Sequence, residues 1–122
     1  MCDRFLGGDS CALIAYGMTS GGKTHTIQGS IKNAGIFPRL VTYLLNQGER
    51  ESGSSGSSSF SLQLSILEIY QEKLNDLLST KKEKLFIRDD GSGKIDVQNL
   101  SNYIVNSSAE ANQFLDIAAS KR

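Results

Sequence analysis

Gly17-Met18-Thr19-Ser20-Gly21-Gly22-Lys23-Thr24 is the stretch whose reading decides the fold. It follows the pattern G-x-x-x-x-G-K-[ST], that of a loop that wraps phosphate groups. An apolar run of strand length, Cys11-Ala12-Leu13-Ile14-Ala15-Tyr16, precedes it, and Thr24-His25-Thr26-Ile27-Gln28 can continue it as helix. Strand, glycine-rich loop and helix, in that order, are the context the motif needs. The glycines let successive backbone N–H groups turn inward and form a nest for phosphate oxygens. The start of the helix adds partial positive charge at the same spot. Lys23 is placed to reach the β- and γ-phosphates, and the Thr24 hydroxyl to hold Mg²⁺. A bland reading exists, a glycine-rich turn that merely joins strand to helix. At average residue usage the four fixed positions arise by chance only about once in a few hundred chains of this length, so the nucleotide site is the stronger reading.

Working outward, the bulk properties narrow the choice. The chain has 122 residues, one domain's worth, able to bury roughly two-thirds of its unfolded surface. Thirteen basic and thirteen acidic residues cancel, so no field points toward nucleic acid or an anionic membrane. Cys2 and Cys11 have neither C-x-x-C spacing nor companion histidines and read as thiols of a reducing compartment. No stretch approaches membrane-spanning length, and Met1-Cys2-Asp3-Arg4 begins no signal peptide. The sequons at Asn99 and Asn106 are then accidental, and a cytoplasmic protein is expected.

Along the chain, Phe5-Leu6 ahead of Gly7-Gly8-Asp9-Ser10 reads as a helix end and a turn, followed by a buried strand at 11–16. A helix from Lys23 to about Gln28 is interrupted by Gly29, Asn33 and Gly35. It resumes at Ile36, where Phe37, Leu40, Val41, Leu44 and Leu45 share one face and Pro38 falls in the first turn. Residues 48–59 are Ser/Gly-rich and predict a flexible loop. Phe60, Leu62, Leu64 and Ile66 alternate with polar residues as in a half-buried strand, and Leu67 and Ile69 predict an end buried on both faces. Tyr70, Leu74, Leu77 and Leu78 then suggest a short helix. Leu85–Arg88 and Lys94–Gln98 read as strands around the turn Asp89-Asp90-Gly91-Ser92-Gly93. Twelve-residue loops from Asp89 or Asp90 would end on Leu100 or Ser101 instead of a glutamate, which rejects calcium. Tyr103-Ile104-Val105 is a last strand. Ser107 and Glu110 form a capping box for a helix with Ala111, Phe114, Leu115 and Ala118 inward.

Four of these segments together resemble the motor head of the kinesins. Ala15 to Thr26 is similar to the family's AYGQT-x-x-GKT-x-T signature, and Gly35-Ile36-Phe37-Pro38-Arg39 to its GI-x-PR. Glu68-Ile69-Tyr70-Gln71-Glu72-Lys73-Leu74-Asn75-Asp76-Leu77-Leu78 resembles EIYNE-x-x-x-DLL. The helix ending in Ala119-Ser120-Lys121-Arg122 resembles the segment before the family's first nucleotide switch. Residues 1–122 then read as a partial motor domain of α/β class, part of a P-loop NTPase three-layer sandwich with an incomplete central sheet.

The resemblance implies that Gly17, Met18, Thr19, Ser20, Gly21, Gly22, Lys23 and Thr24 cradle the phosphates of ATP or ADP, with Mg²⁺ on Thr24 and His25 against the adenine. It implies a microtubule partner and a cytoskeletal location, and makes Lys94 a conceivable tubulin contact, against the plainer reading of a solvated hairpin lysine. Met18 departs from the signature's usual glutamine, and Gly7-Gly8-Asp9-Ser10 from its usual turn. The N-x-x-SSRSH and DLAGSE switches and the R-x-R-P adenine wall do not occur in the sequence, so no catalytic residue is expected within it. Glu68 is a poor substitute for the missing Mg²⁺-shell aspartate, because its place in the EIY segment explains it better. The leading expectation is the ATP-binding part of a microtubule motor, inactive by itself. The alternatives are a non-enzymatic relic that binds nucleotide or a partner, and an unrelated small P-loop kinase or NTPase. Arg39, Arg50 and Arg88 form no cluster of the kind such a kinase's lid needs.

Overall fold

The computed structural model describes residues 1–55, 59–81 and 83–121. Among the described residues, four helices, α1 (Cys2–Leu6), α2 (Lys23–Ile27), α3 (Ile36–Ser55) and α4 (Ser108–Ser120), occur with six short strands. The strands are β1 (Leu62–Leu64), β2 (Leu67–Tyr70), β3 (Lys73–Asp76), β4 (Phe86–Asp89), β5 (Ile95–Gln98) and β6 (Tyr103–Val105). They pair as three two-stranded sheets, β1 with β6, β2 with β3 and β4 with β5. The chain divides into two compact units, Met1–Leu62 with Val105–Asn112, and Gln63–Ile104 with Gln113–Arg122.

In the first unit α1 stops at Gly7, as its glycine pair predicts, and an exposed Arg4–Asp9 ion pair at 2.9 Å spans the turn. Pairs this exposed add little stability. The Tyr43 hydroxyl, on α3, donates to Asp3 Oδ1 at 2.6 Å and ties α1 to α3; that hydrogen bond raises the phenol's pKa. Val41 and Leu44 are buried on α3 at the predicted spacing, and Pro38 is accommodated in the first turn.

The interruption between α2 and α3 is a tight lasso. Gly35 N donates to Gln28 O at 3.1 Å, and Ser30 N to Asn33 O at 2.8 Å. Gly29 has φ +78°, and a Cβ there would stand 2.1 Å from Gly35 N, so only glycine closes the lasso. The S-x-x-E reading also holds at α4: Glu110 N donates to Ser107 Oγ at 3.1 Å. The Glu110 carboxylate accepts from the Asn106 amide at 2.8 Å, one residue ahead of the capping serine.

Two expectations fail in this unit. Most of the stretch 48–59, expected as a flexible loop, is helical, because α3 runs on to Ser55; residues 56–58 lie outside the described residues. Gly48 is buried, and a Cβ on it would meet the Phe60 ring at 2.3 Å. The missing side chain that makes glycine a weak helix former is what lets the ring pack there. The segment 11–16 is not a buried strand. It pairs with no strand among the described residues, and Ile14 and Tyr16 are 81% and 98% exposed.

The second unit corrects the reading of 67–78. The apolar spacing from Tyr70 to Leu78 does not form a helix: β2 and β3 make an antiparallel hairpin in the register Leu67↔Asp76, Glu68↔Asn75, Ile69↔Leu74 and Tyr70↔Lys73. Gln71 and Glu72 turn it with φ of 49° and 62°, both left-handed, as a two-residue hairpin turn requires. Ile69 and Tyr70 are exposed, so the strand end is not covered on both faces as expected. The single strand expected from Phe60 onward is two short ones, β1 and β2.

The unit's core is Leu77, Leu78 and Ala118, packed by Ile66 and Phe114, with the Tyr103 ring 5.0 Å from Phe114. Asp76 organises the chain beside it. Its Oδ1 accepts from the amides of Leu78 at 2.9 Å and Ser79 at 3.0 Å, and its Oδ2 from Ser101 at 2.7 Å. Partial burial would raise the Asp76 pKa, but these hydrogen bonds outweigh it and hold the carboxyl below its ordinary value. β4 and β5 fall within a residue of their predicted bounds. In their turn Asp90 Oδ1 accepts from Ser92 N at 2.8 Å and Ser92 Oγ at 2.6 Å, which lowers the Asp90 pKa.

Candidate phosphate-binding loop

Residues 17–24 close on themselves. Gly21 N donates to Met18 O at 3.0 Å and forms a first turn. Gly22 follows with φ +85° and caps α2, whose first turn begins at Lys23. Ser20 also has a positive φ, 65°, a cost to a non-glycine residue that the sequence pattern did not signal. A Cβ on Gly21 would stand 2.8 Å from Met18 O, so that glycine permits close approach and Gly22 permits the left-handed backbone.

This geometry leaves a row of donors. Among the described residues the amides of Ser20, Gly22, Lys23 and Thr24 donate to no acceptor within the protein. Lys23 curls back over the loop, its Nζ donating to Gly17 O at 2.5 Å and Met18 O at 2.7 Å. No carboxylate among the described residues pairs with it. Free amides beside an uncompensated ammonium are the donor set an anion with several oxygens requires. The residues present therefore fit a polyphosphate. The Thr24 hydroxyl, at the loop's end, offers one oxygen toward a cation. Among the described residues no group of three His, Cys, Asp or Glu side chains could hold a metal.

The other candidates stand apart from this chemistry. His25 follows Thr24 on α2 and is exposed. Glu68 accepts from Asn75 Nδ2 at 3.1 Å across its own hairpin, which engages it structurally. Lys94 is exposed beside the β4–β5 turn, its amide 3.4 Å from Asp90 Oδ1. Sequence reasoning missed Asp76. Its signal, an aspartate just before a chain reversal at Asp76-Leu77-Leu78-Ser79, was hidden by the helical reading of that segment.

Comparison with known proteins agrees with the class the loop defines. The kinesin motor domain family matches residues 1–122. Kinesin-related protein 7 of Dictyostelium discoideum is 38% identical over 120 residues, spanning 97% of this chain and 10% of that protein. Kinesin-like protein KIF22 of Rattus norvegicus is 38% identical over 110 residues, 90% of this chain and 17% of that one. A KIF14 dimer solved with AMP-PNP in complex with a microtubule superposes with a TM-score of 0.88 at 31% identity, covering 99% of this chain and 34% of the KIF14 chain. KIF14 with ADP in complex with a microtubule gives 0.85. The chain belongs to the kinesin motor domain family. It is a mixed α/β portion of that domain and spans about a third of the solved motor chains and a smaller share of the full-length relatives.

Proposed function

We propose that this chain is the nucleotide-phosphate portion of an ATP-driven microtubule motor, built as part of a three-layer sandwich whose central sheet is incomplete here. The observation that carries the reading is the Lys23 ammonium, free of any carboxylate among the described residues, folded over a loop with unpartnered amides at Gly22, Lys23 and Thr24. Gly17 to Thr24 would wrap the phosphates of ATP or ADP. Lys23 would exchange its two loop carbonyls for phosphate oxygens, and the Thr24 hydroxyl would take one position around Mg²⁺. The bound metal would neutralise phosphate charge; orienting the phosphate tail falls to this chain's own backbone. His25, the next residue along the chain, would lie against the adenine in this reading. The related KIF14 heads were solved with AMP-PNP and with ADP on microtubules, which supports a nucleotide and a tubulin partner for this chain as well, with a cytoskeletal location.

A fluorescent ADP analogue with Mg²⁺ is the direct probe. Binding is expected in the native chain and at least tenfold weaker binding in Lys23→Ala. Thr24→Ala should remove the dependence on Mg²⁺ and leave weak residual binding. Uptake unchanged by Lys23→Ala would sink the assignment. Binding without turnover, by a folded monomer, would favour the second reading, a non-enzymatic nucleotide-binding module.

A further inference from the structure

The chain has two thiols, Cys2 on α1 and Cys11 at the head of the segment that runs into the 17–24 loop. They come together in the first unit. Both line one small pocket of about 130 Å³, with apolar walls from Phe5, Leu13 and, on α3, Leu40 and Leu44. The Cys11 thiol donates weakly to Met1 O at 3.7 Å and to Asp9 O at 3.9 Å. Met1 O belongs to the peptide group that leads into Cys2. A carbonyl oxygen stands roughly 2.8 Å from the next Cα, so the Cys2 Cα lies within about 6.5 Å of the Cys11 sulfur. That is near the reach of a disulfide, whose two Cα atoms usually stand about 4.4–6.8 Å apart. The helix that carries Cys2 is five residues long with none buried, and Gly7-Gly8 lies between it and Cys11. The small shift that closes a bond therefore disturbs no packed core.

We propose that Cys2 and Cys11 are a modification site, a reversible disulfide that ties α1 to the segment feeding the 17–24 loop. The oxidant is a low-molecular-weight disulfide of the glutathione class. The pairing uses only groups within residues 1–44 and does not depend on what the loop binds. One cysteine thiolate attacks a sulfur of the oxidant, whose S–S bond breaks. A mixed disulfide forms, and one small thiol leaves with that cysteine's proton. The other cysteine's thiolate then attacks the first cysteine's sulfur. The Cys2–Cys11 bond forms, and the second small thiol leaves with the second proton. Two cysteines are oxidised, and one small disulfide is reduced to two thiols. In reducing surroundings both remain free thiols, as they stand in this structure. The bond closes a ten-residue ring from Cys2 to Cys11 and removes freedom from the unfolded chain.

The test incubates the chain with oxidised glutathione and follows it by intact-mass and peptide mass spectrometry. The expected product has lost two hydrogens, retains no glutathione, yields a linked peptide pair containing Cys2 and Cys11, and reverts with reductant. Ring closure should run at least tenfold faster in buffer than in urea, because the fold holds the two thiols together. Glutathione retained on the chain, disulfide-linked dimers of the chain, or an equal rate in urea overturns the proposal. At least one of Cys2→Ser and Cys11→Ser should hold glutathione on its remaining thiol, and trapping in neither would also overturn it. Amide hydrogen exchange across α1 should slow at least threefold in the oxidised chain. Exchange unchanged by oxidation would show that the bond does not tie α1 down, and the proposal would fall with it.

Discussion

Gly22 joins the 17–24 loop to α2 at a backbone angle that other residues enter at a cost. With φ +85° at the helix cap, Gly22→Ala should destabilise the first unit by about 1 kcal/mol and turn the Lys23 and Thr24 amides away from their common focus. Urea denaturation reads the first effect and analogue affinity the second. Asp76 is one residue through which pH acts on the second unit. Its folded-state pKa is depressed, so in acid the unfolded chain binds the proton more readily. The stability it lends is present above the unfolded value of about 3.9 and is lost as pH falls through the lower folded value. Asp76→Asn should flatten the acid limb of a pH–stability curve below about pH 4 and lower stability at neutral pH, by roughly 1–2 kcal/mol for the weakened amide contacts. An unchanged acid limb would place the sensitivity elsewhere, with Asp90 the next group to test, since its pKa is also depressed.

Among the elements, what could be read in advance depended on how local the cause was. The backbone of the 17–24 loop was legible, as a closed turn leading into α2, because its glycine conformations are fixed within eight residues. The helices α3 and α4 were legible from apolar spacing and, at α4, from the Ser107–Glu110 pair, which recurs in the hydrogen bonds. The β2–β3 hairpin was not, because Gln71-Glu72 carries no turn signal, while Tyr70, Leu74 and Leu78 happen to fall four apart. Two consecutive left-handed residues without a glycine are an unfavourable turn, and this gives a test of the corrected reading. Replacing Gln71-Glu72 with Asn-Gly should stabilise the second unit by about 1 kcal/mol in thermal or urea unfolding, since both residues favour those angles. A helix at this place would instead be weakened by the same pair. The Cys11–Tyr16 run was misread for a different reason: a strand is completed by its neighbours, and no periodicity within six residues reports whether they are present.

Over the whole molecule, these 122 residues carry the loop proposed to hold phosphate and contain neither switch motif of the resemblance. Phosphoryl transfer needs a positioned water or base, and charge stabilisation around the departing γ-phosphate, besides a cradle. In the proposed reading Gly17 to Thr24 would supply the cradle and one cation. Glu68 is hydrogen-bonded within its own hairpin, and the sequence holds neither switch motif. Each unit also has a small buried core, Val41, Leu44, Val105 and Ala111 in one and Leu77, Leu78, Leu85 and Ala118 in the other. Cores of this size leave little stability with which to hold a loop rigid. The chain alone is therefore expected to take up Mg·ADP and Mg·ATP with similar affinity and to hydrolyse ATP no faster than a Lys23→Ala control, with or without microtubules. A phosphate-release assay at saturating ATP decides it. Microtubule-stimulated turnover that Lys23→Ala abolishes would mean that groups inside these 122 residues do the work here assigned to absent switches.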